Sequence, residues 1–444
     1  MNPVSCPAAS TAQGLQHVFL SEQRASSLPP SWNHAHPPIP MRSAVIGAGI
    51  MGTGIAATLL AAGLPVALTD PQPAARDRAH DRITRIIQRD IEKGRITPKI
   101  AEQRLTALSL TDNIAMAVDG TDIVIEAVFE DLQTKCDVFA RLDAATGPDT
   151  ILASNTSTLD INAIASTVRD PGRVLGMHFF SPAHVMRLVE LVRGERTRPE
   201  VIQAVLALVQ KLGKVGVVAG VCDGFIGNRM FEELLRQAYW LLEEGALPEH
   251  IDAAMEAFGF AMGPLRVMDL AGQDIGWSIR KRRAIEQPDR PYSRLPDRIC
   301  ERGRFGQKTG AGFYLYPDGR KAVVDPEITA LIVAYSEELG LTRRTIDNDE
   351  IVTRCLYALV NEGARILEEG IAWRPSDIDV VWTAGYGFPA ARGGPMFHAD
   401  QIGLGTILDS IEGFARGHGG WSWQPAPLLK QLVSEHHTFG DLNG

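Results

Sequence analysis

His178 closes one short apolar run, Val174-Leu175-Gly176-Met177, and Glu190 sits inside the next, Leu188-Val189-Glu190-Leu191-Val192. Oxidising a secondary alcohol needs a hydride acceptor and a base within hydrogen-bond reach of the hydroxyl proton. A neutral imidazole suits the second task, because its ordinary pKa lies near working pH. A carboxylate on the far ring nitrogen would fix the tautomer and stabilise the imidazolium that forms. Two strands joined by a turn could bring His178 and Glu190 together. A histidine at a strand end is more often a satisfied core or surface residue, so this spacing alone leaves both roles open.

A second group of residues suits a dinucleotide. Gly47-Ala48-Gly49-Ile50-Met51-Gly52 matches G-x-G-x-x-G, follows the predicted strand Ser43-Ala44-Val45-Ile46 and opens a predicted helix. Glycines at these places permit a tight turn, close approach of backbone to a pyrophosphate, and close packing of helix on strand. The exposed N–H groups and helix dipole then favour phosphate charge. Asp70 ends the second predicted strand, where a carboxylate can accept hydrogen bonds from an adenosine ribose. It would repel a 2′-phosphate, so NAD is expected over NADP. A structural turn with a surface aspartate is the plainer alternative; strand, glycines, helix and Asp70 together favour the dinucleotide.

These residues need elements to hold them, and the chain is long enough to supply several. Its 444 residues, 45% hydrophobic, can bury two or three separate cores. A formal net charge of -9 argues against a nucleic-acid partner. No apolar run is long enough to span a membrane. The five cysteines (Cys6, Cys136, Cys222, Cys300, Cys355) are scattered without metal-ligand spacing, which suits a reduced protein with neither metal nor disulfide. The N-terminus lacks a basic region followed by an apolar one. The ending Asp441-Leu442-Asn443-Gly444 is no peroxisomal address. A cytoplasmic protein is therefore expected.

Residues 1–40 read as a linker-like extension with one short helix over Leu15 to Arg24, followed by the proline pairs Pro29-Pro30 and Pro37-Pro38. His34 and His36 there suit a polar tail better than a metal. Residues 41–219 alternate short apolar runs with helical stretches, as in an α/β Rossmann-type NAD-binding domain with a mostly parallel sheet. The predicted strands include Asp122–Ala127, Thr150–Ala153 and Lys214–Ala219. After Gly224 helical patterns take over and repeat. Leu242-Glu243-Glu244-Gly245, Ile251-Asp252, Phe258-Gly259-Phe260 and Gly263-Pro264 are echoed by Leu367-Glu368-Glu369-Gly370, Ile378-Asp379, Tyr386-Gly387-Phe388 and Gly394-Pro395. The expectation is a duplicated all-α C-terminal domain, residues 220–330 and 331–444.

Four motifs in order, Asn155-Thr156-Ser157, Gly176-Met177-His178-Phe179-Phe180-Ser181-Pro182, Leu188-Val189-Glu190 and Gly224-Phe225-Ile226-Gly227-Asn228-Arg229, resemble the L-3-hydroxyacyl-CoA dehydrogenases. The likeness runs from Met41 to about residue 415 and is closest to the dehydrogenase half of the multifunctional, peroxisomal-type β-oxidation enzymes. The resemblance implies reversible, NAD-dependent oxidation of a (S)-3-hydroxyacyl-CoA to the 3-oxoacyl-CoA. By it, His178 is the general base, Glu190 its orienting carboxylate, and Ser157 and Asn228 hold the substrate oxygen at C3. Gly47, Gly49, Met51, Gly52, Asp70, Glu130, Lys135 and Lys308 match cofactor-binding positions. Ser181 departs from the asparagine of many members, although peroxisomal-type enzymes also carry serine. Leu15 to Arg24 resembles the linker after the enoyl-CoA hydratase part, and with no such part ahead of it the two-step chemistry is expected to be absent.

The same resemblance implies that the helical arm after the second strand meets the CoA moiety. Arg78, Arg82, Arg85 and Arg89 recur there at helical spacing, followed by Lys93, Arg95 and Lys99, and a salt-bridged surface helix is the ordinary alternative. The acyl chain is expected between the first layer and the helical domains. Short members dimerise through one helical copy and long ones pack two in a single chain, so a monomer is expected, with a dimer as the alternative. Competing functions are a dehydrogenase of a free hydroxy or sugar acid, and a non-catalytic NAD-binding scaffold.

Overall fold

The computed structural model describes residues 9–29, 32 and 37–443. His34 and His36 lie outside the described residues. The N-terminal helix α1 (Ala9–Ala25) is longer than the expected segment. Eight strands follow: β1 (Ser43–Ile46), β2 (Val66–Thr69), β3 (Leu108–Thr111), β4 (Ile123–Glu126), β5 (Ile151–Ser154), β6 (Val174–Phe179), β7 (Leu188–Arg193) and β8 (Val215–Gly220). Between them lie α2 (Ile50–Ala61), α3 (Pro73–Glu92), α4 (Pro98–Thr106), α5 (Ile114–Val118), α6 (Leu132–Ala145), α7 (Ile161–Ala165) and α8 (Pro199–Lys211).

The strands form one sheet in the order β3-β2-β1-β4-β5-β6-β7-β8. Helices cover both faces, so β1 and β4 are buried at every position and read as unbroken apolar runs. The core joins Val45, Leu68, Ile123 and Ile125 of the sheet to Ile55 and Leu59 of α2 and Ile83 and Ile87 of α3. Fully burying each such side chain contributes roughly 1.5–3 kcal/mol before entropy is counted. Pairing is parallel except between β6 and β7, which run antiparallel with His178 opposite Glu190. A parallel return needs a long crossover, and the short link from Phe180 to Arg187 has no room for one. Strand β3 is absent from the sequence expectation; its Leu-Ser-Leu-Thr is half-exposed at the sheet edge and carries little apolar signal.

The helices beyond the sheet are α9 (Gly227–Glu244), α10 (Pro248–Phe258), α11 (Pro264–Ala271), α12 (Gln273–Glu286), α13 (Leu295–Cys300), α14 (Pro326–Glu338), α15 (Asn348–Glu368), α16 (Pro375–Gly385), α17 (Pro395–Ile402), α18 (Leu404–Phe414) and α19 (Pro427–Glu435). The chain divides into two compact units. One holds Val18–Asn228 and Glu369–Tyr386; the other holds Arg229–Glu368 and Gly387–Gly444 with the described residues up to His17. Residues 369–386, assigned from sequence to the second helical domain, thus belong with the sheet. Ala372 bridges to Ala219 and α16 packs on β7 and β8.

Within the helical unit the two copies are pinned by ion pairs. Arg354 reaches Glu244 at 2.6 Å, and Arg229 reaches Glu362 at 2.6 Å. Among the described residues no helix is long and apolar enough to cross a membrane.

Candidate active site

Parallel register brings the carboxyl ends of β1, β2, β4 and β5 to one edge, with Ile46 beside Thr69 and Glu126, and Glu126 beside Ser154. The strand order reverses between β1 and β4, the place where open α/β sheets bind ligands. The glycine turn follows β1 there. Gly47 has φ +102°, and a side chain on it would meet the carbonyl oxygen of Ala127 at 2.6 Å. At Gly52 a Cβ would lie 1.9 Å from the carbonyl oxygen of Gly47. A Cβ on Gly49, at the N-terminus of α2, would meet open space. The first and third glycines are thus demanded by the protein's own packing, and the second clears room for a ligand. Met51 is half-buried in the first turn of α2.

Asp70 stands just past β2. Its carboxylate accepts the N–H of Ala48 at 3.0 Å and that of Gln72 at 2.9 Å, and Arg76 donates to its carbonyl. Such an edge fits an NAD: a helix N-terminus for the pyrophosphate, an open glycine, and a carboxylate held beside the turn for the ribose.

Antiparallel pairing of β6 and β7 puts His178 and Glu190 on one face. His178 Nδ1 lies 2.8 Å from Glu190 Oε2, with both residues buried. Glu190 Oε1 accepts the N–H groups of Ile226 at 3.2 Å and Gly227 at 3.0 Å. An ionised carboxylate has no proton to give, so the hydrogen sits on Nδ1 and Nε2 keeps its lone pair. Phe180 and Phe225 pack their rings 4.4 and 5.8 Å from the imidazole.

Ser157 follows β5. Glu130 Oε1 accepts its N–H at 2.7 Å, its hydroxyl at 3.1 Å, and the Thr156 hydroxyl at 2.6 Å. Burial alone would raise the Glu130 carboxyl, but Lys135 and these donors outweigh it and hold it below the usual range. Lys135 is buried, its ammonium 2.8 Å from Glu126 and 3.4 Å from Glu130. Asn228 Oδ1 accepts the Tyr386 hydroxyl at 2.7 Å, and its Nδ2 makes a long 3.5 Å contact with the carbonyl of Ser157. Burial, with Glu190 nearby, pushes the Tyr386 hydroxyl well above its ordinary value, so it keeps its proton and donates. That bond identifies the amide oxygen and leaves Asn228 Nδ2 as a donor. Lys308 belongs to the helical unit, on the short turn Gln307–Thr309, where it pairs with Asp274.

Arg82, Arg85 and Arg89 of α3, with Ile50, Thr53, Gly54, Ile86, Pro182, Ala183 and His184, line a cavity of about 310 Å³. Farther along the arm, Arg95 pairs with Asp90 at 3.2 Å. Burial and the Lys214 ammonium push the His184 imidazole down.

Sequence reasoning passed over Tyr386 and Glu126. Tyr386 sits in a segment read as turn and packing. The signal available was the internal echo, where Phe258 in the first copy becomes Tyr386 in the second; only the added hydroxyl distinguishes them. Glu126 offered none, since an acidic residue ending an apolar strand is ordinary.

Residues 42–222 match the 3-hydroxyacyl-CoA dehydrogenase NAD binding domain, and 224–316 and 351–441 match the 3-hydroxyacyl-CoA dehydrogenase C-terminal domain. The chain is 42% identical over 442 residues to the peroxisomal bifunctional enzyme of Danio rerio, covering 95% of this chain and 61% of that one. It is 36% identical over 431 residues to the glyoxysomal fatty acid beta-oxidation multifunctional protein MFP-a of Brassica napus, covering 96% and 59%. The chain thus spans about three fifths of the length of these curated relatives. Among solved structures, 3-hydroxybutyryl-CoA dehydrogenase from Escherichia coli superposes with a TM-score of 0.78 at 28% identity, over 90% of this chain and 99% of that one. The relatives' peroxisomal and glyoxysomal names overturn the expectation of a cytoplasmic protein. Acidic charge and scattered cysteines suit any reducing compartment, so composition could not separate them.

Proposed function

The chain belongs to the 3-hydroxyacyl-CoA dehydrogenase family, and from that premise we propose that it oxidises the 3-hydroxyl of an acyl-CoA with NAD, and reduces the ketone in reverse. The observation that carries this is the buried His178–Glu190 pair at 2.8 Å, with Glu190 braced by two backbone N–H groups. His178 takes the hydroxyl proton at Nε2, and Glu190 offsets the positive charge that appears on the ring. Ser157 and Asn228 Nδ2 hold the C3 oxygen, as donors that strengthen when it becomes a carbonyl in a tight, polarised site. Bound NAD supplies the hydride acceptor. Gly47, Gly49, Met51, Gly52 and Asp70 cradle its pyrophosphate and ribose, with Glu130 as a further contact.

Arg82, Arg85 and Arg89 take the CoA phosphates. The ion pairs between the helical copies support a monomer. The relatives' names support a peroxisome-type compartment and fatty-acid β-oxidation as the setting. The claim covers the dehydrogenase step alone.

Purified protein should oxidise NADH with acetoacetyl-CoA and barely with free acetoacetate. Equal rates would undo the CoA assignment and favour a free-acid substrate. His178→Ala should lower kcat by at least about a hundredfold; an unchanged rate would remove His178 as the base, whereas a wild type that binds NADH without turnover would leave only an NAD-binding scaffold.

A further inference from the structure

Asn228 can offer a donor to the C3 oxygen only if its amide is turned one way, and its neighbours decide which. It stands in the first turn of α9, where Nδ2 makes its 3.5 Å contact with the carbonyl of Ser157 and Oδ1 accepts the Tyr386 hydroxyl at 2.7 Å. A carbonyl cannot donate, so the Ser157 side must face nitrogen. On the other side the hydroxyl donates to the oxygen. The two neighbours agree, and the short bond is the one that holds the side chain.

Tyr386 is itself held by ring packing. It follows α16 directly, its ring 4.9 Å from that of Trp382 and 5.5 Å, edge-on, from that of Phe180. Gly227 clears the space: a Cβ there would lie 2.3 Å from Cε2 of Tyr386 and 2.7 Å from its hydroxyl oxygen. A glycine beside Asn228 thus admits a tyrosine 158 positions along the chain. Phenylalanine, present as Phe258 in the echoing position of the first helical copy, would serve the ring packing. The hydroxyl adds the bond to Asn228. When the ketone is reduced, negative charge grows on the C3 oxygen, and a donor fixed in advance answers it without reorganisation. A hydrogen bond to Oδ1 also polarises the amide, which strengthens its N–H as a donor.

We propose that Tyr386 is a positioning residue that, by donating to Asn228 Oδ1, fixes and polarises the amide whose Nδ2 meets the C3 oxygen of the substrate. This rests on the assignment of the chain as a dehydrogenase with Asn228 at the substrate. It gives the second helical copy a part in the site, through the segment that belongs with the sheet.

The test is a double-mutant cycle between Tyr386→Phe and Asn228→Ala in the NADH and acetoacetyl-CoA reaction, with rates taken from single turnovers at high enzyme concentration. Y386F should lower the rate about tenfold, while the NADH Kd and the KM for acetoacetyl-CoA each change less than about threefold. In the N228A background the same change should cost less than about twofold, because its effect passes through Asn228. The Glu190 charge also acts on the Tyr386 hydroxyl, so the pH profile separates two routes. The limb set by His178 should stay where it is in Y386F. An undiminished rate in Y386F overturns the proposal, as do additive losses in the cycle or a displaced His178 limb. Should Y386F fail to fold, Tyr386→Leu enters the same cycle with the same outcomes. A wild-type protein without activity sinks the dehydrogenase assignment and this proposal with it, whereas an active wild type with additive variants sinks this one alone.

Discussion

At the scale of single residues, the site is built from groups that hold other groups. Glu190 gives one oxygen to His178 and the other to two N–H groups of Ile226 and Gly227, so it cannot turn without leaving a buried charge or buried donors unpaired. Glu190→Gln keeps the shape but lets the amide donate where the ring must, which favours the wrong tautomer. It should lower kcat on the order of a hundredfold to ten-thousandfold while NADH titration stays near wild type. Asp70 is held by Ala48 and Gln72, and Arg76 in the first turn of α3 donates to its carbonyl. Asp70→Ser should weaken NAD and relieve the repulsion of a 2′-phosphate, moving the NAD to NADP ratio of kcat/KM by at least about tenfold toward NADP. An unmoved ratio would remove Asp70 from the ribose.

At the scale of elements, the turn between β1 and α2 separates packing from binding. Gly52→Ala places a methyl 1.9 Å from a backbone oxygen that a side chain cannot push aside. It should cost roughly 1–3 kcal/mol of stability, read as a lower melting temperature. Gly49→Ala adds its methyl to open space. It should leave the melting temperature unchanged and weaken NADH binding by about tenfold, roughly 1.4 kcal/mol. Matching effects from the two variants would count against a phosphate cradle. The turn itself was legible because its glycines are local in sequence and each has a steric reason. Strand β3 was not, since an edge strand of four half-exposed residues owes its existence to pairing with β2.

At the scale of the whole molecule, stability and pH are linked through buried groups of the helical unit. Burial, and then Arg392, push the His398 ring down to about 4, where it lies among Phe258 and Phe388. Its folded value is below its ordinary 6.5, so the folded chain holds the neutral ring. The stability this confers is complete above pH 6.5 and is lost as pH falls through about 4, on the order of 3 kcal/mol over the window. Asp252 works the other way: burial raises its carboxyl to about 7, so its share of stability declines as pH climbs toward 7. Comparing His398→Gln with wild type isolates the first effect. The variant should lose less stability between pH 7 and pH 4 in denaturant melts, and parallel curves would rule out His398 as the source.

What the sequence determined by itself was whatever depends on neighbours along the chain. The glycine turn, the apolar strands, the order of the motifs carrying Ser157, His178, Glu190 and Asn228, and the duplicated helical pattern are all of that kind. Tertiary structure alone decided which side chains share a hydrogen bond. It set Glu126 against Lys135, Glu130 against Ser157, and Tyr386 against Asn228, and it drew residues 369–386 onto the sheet. The reason is physical: periodicity and sterics act over a few residues, whereas burial and hydrogen-bond satisfaction are settled between segments that only folding brings together.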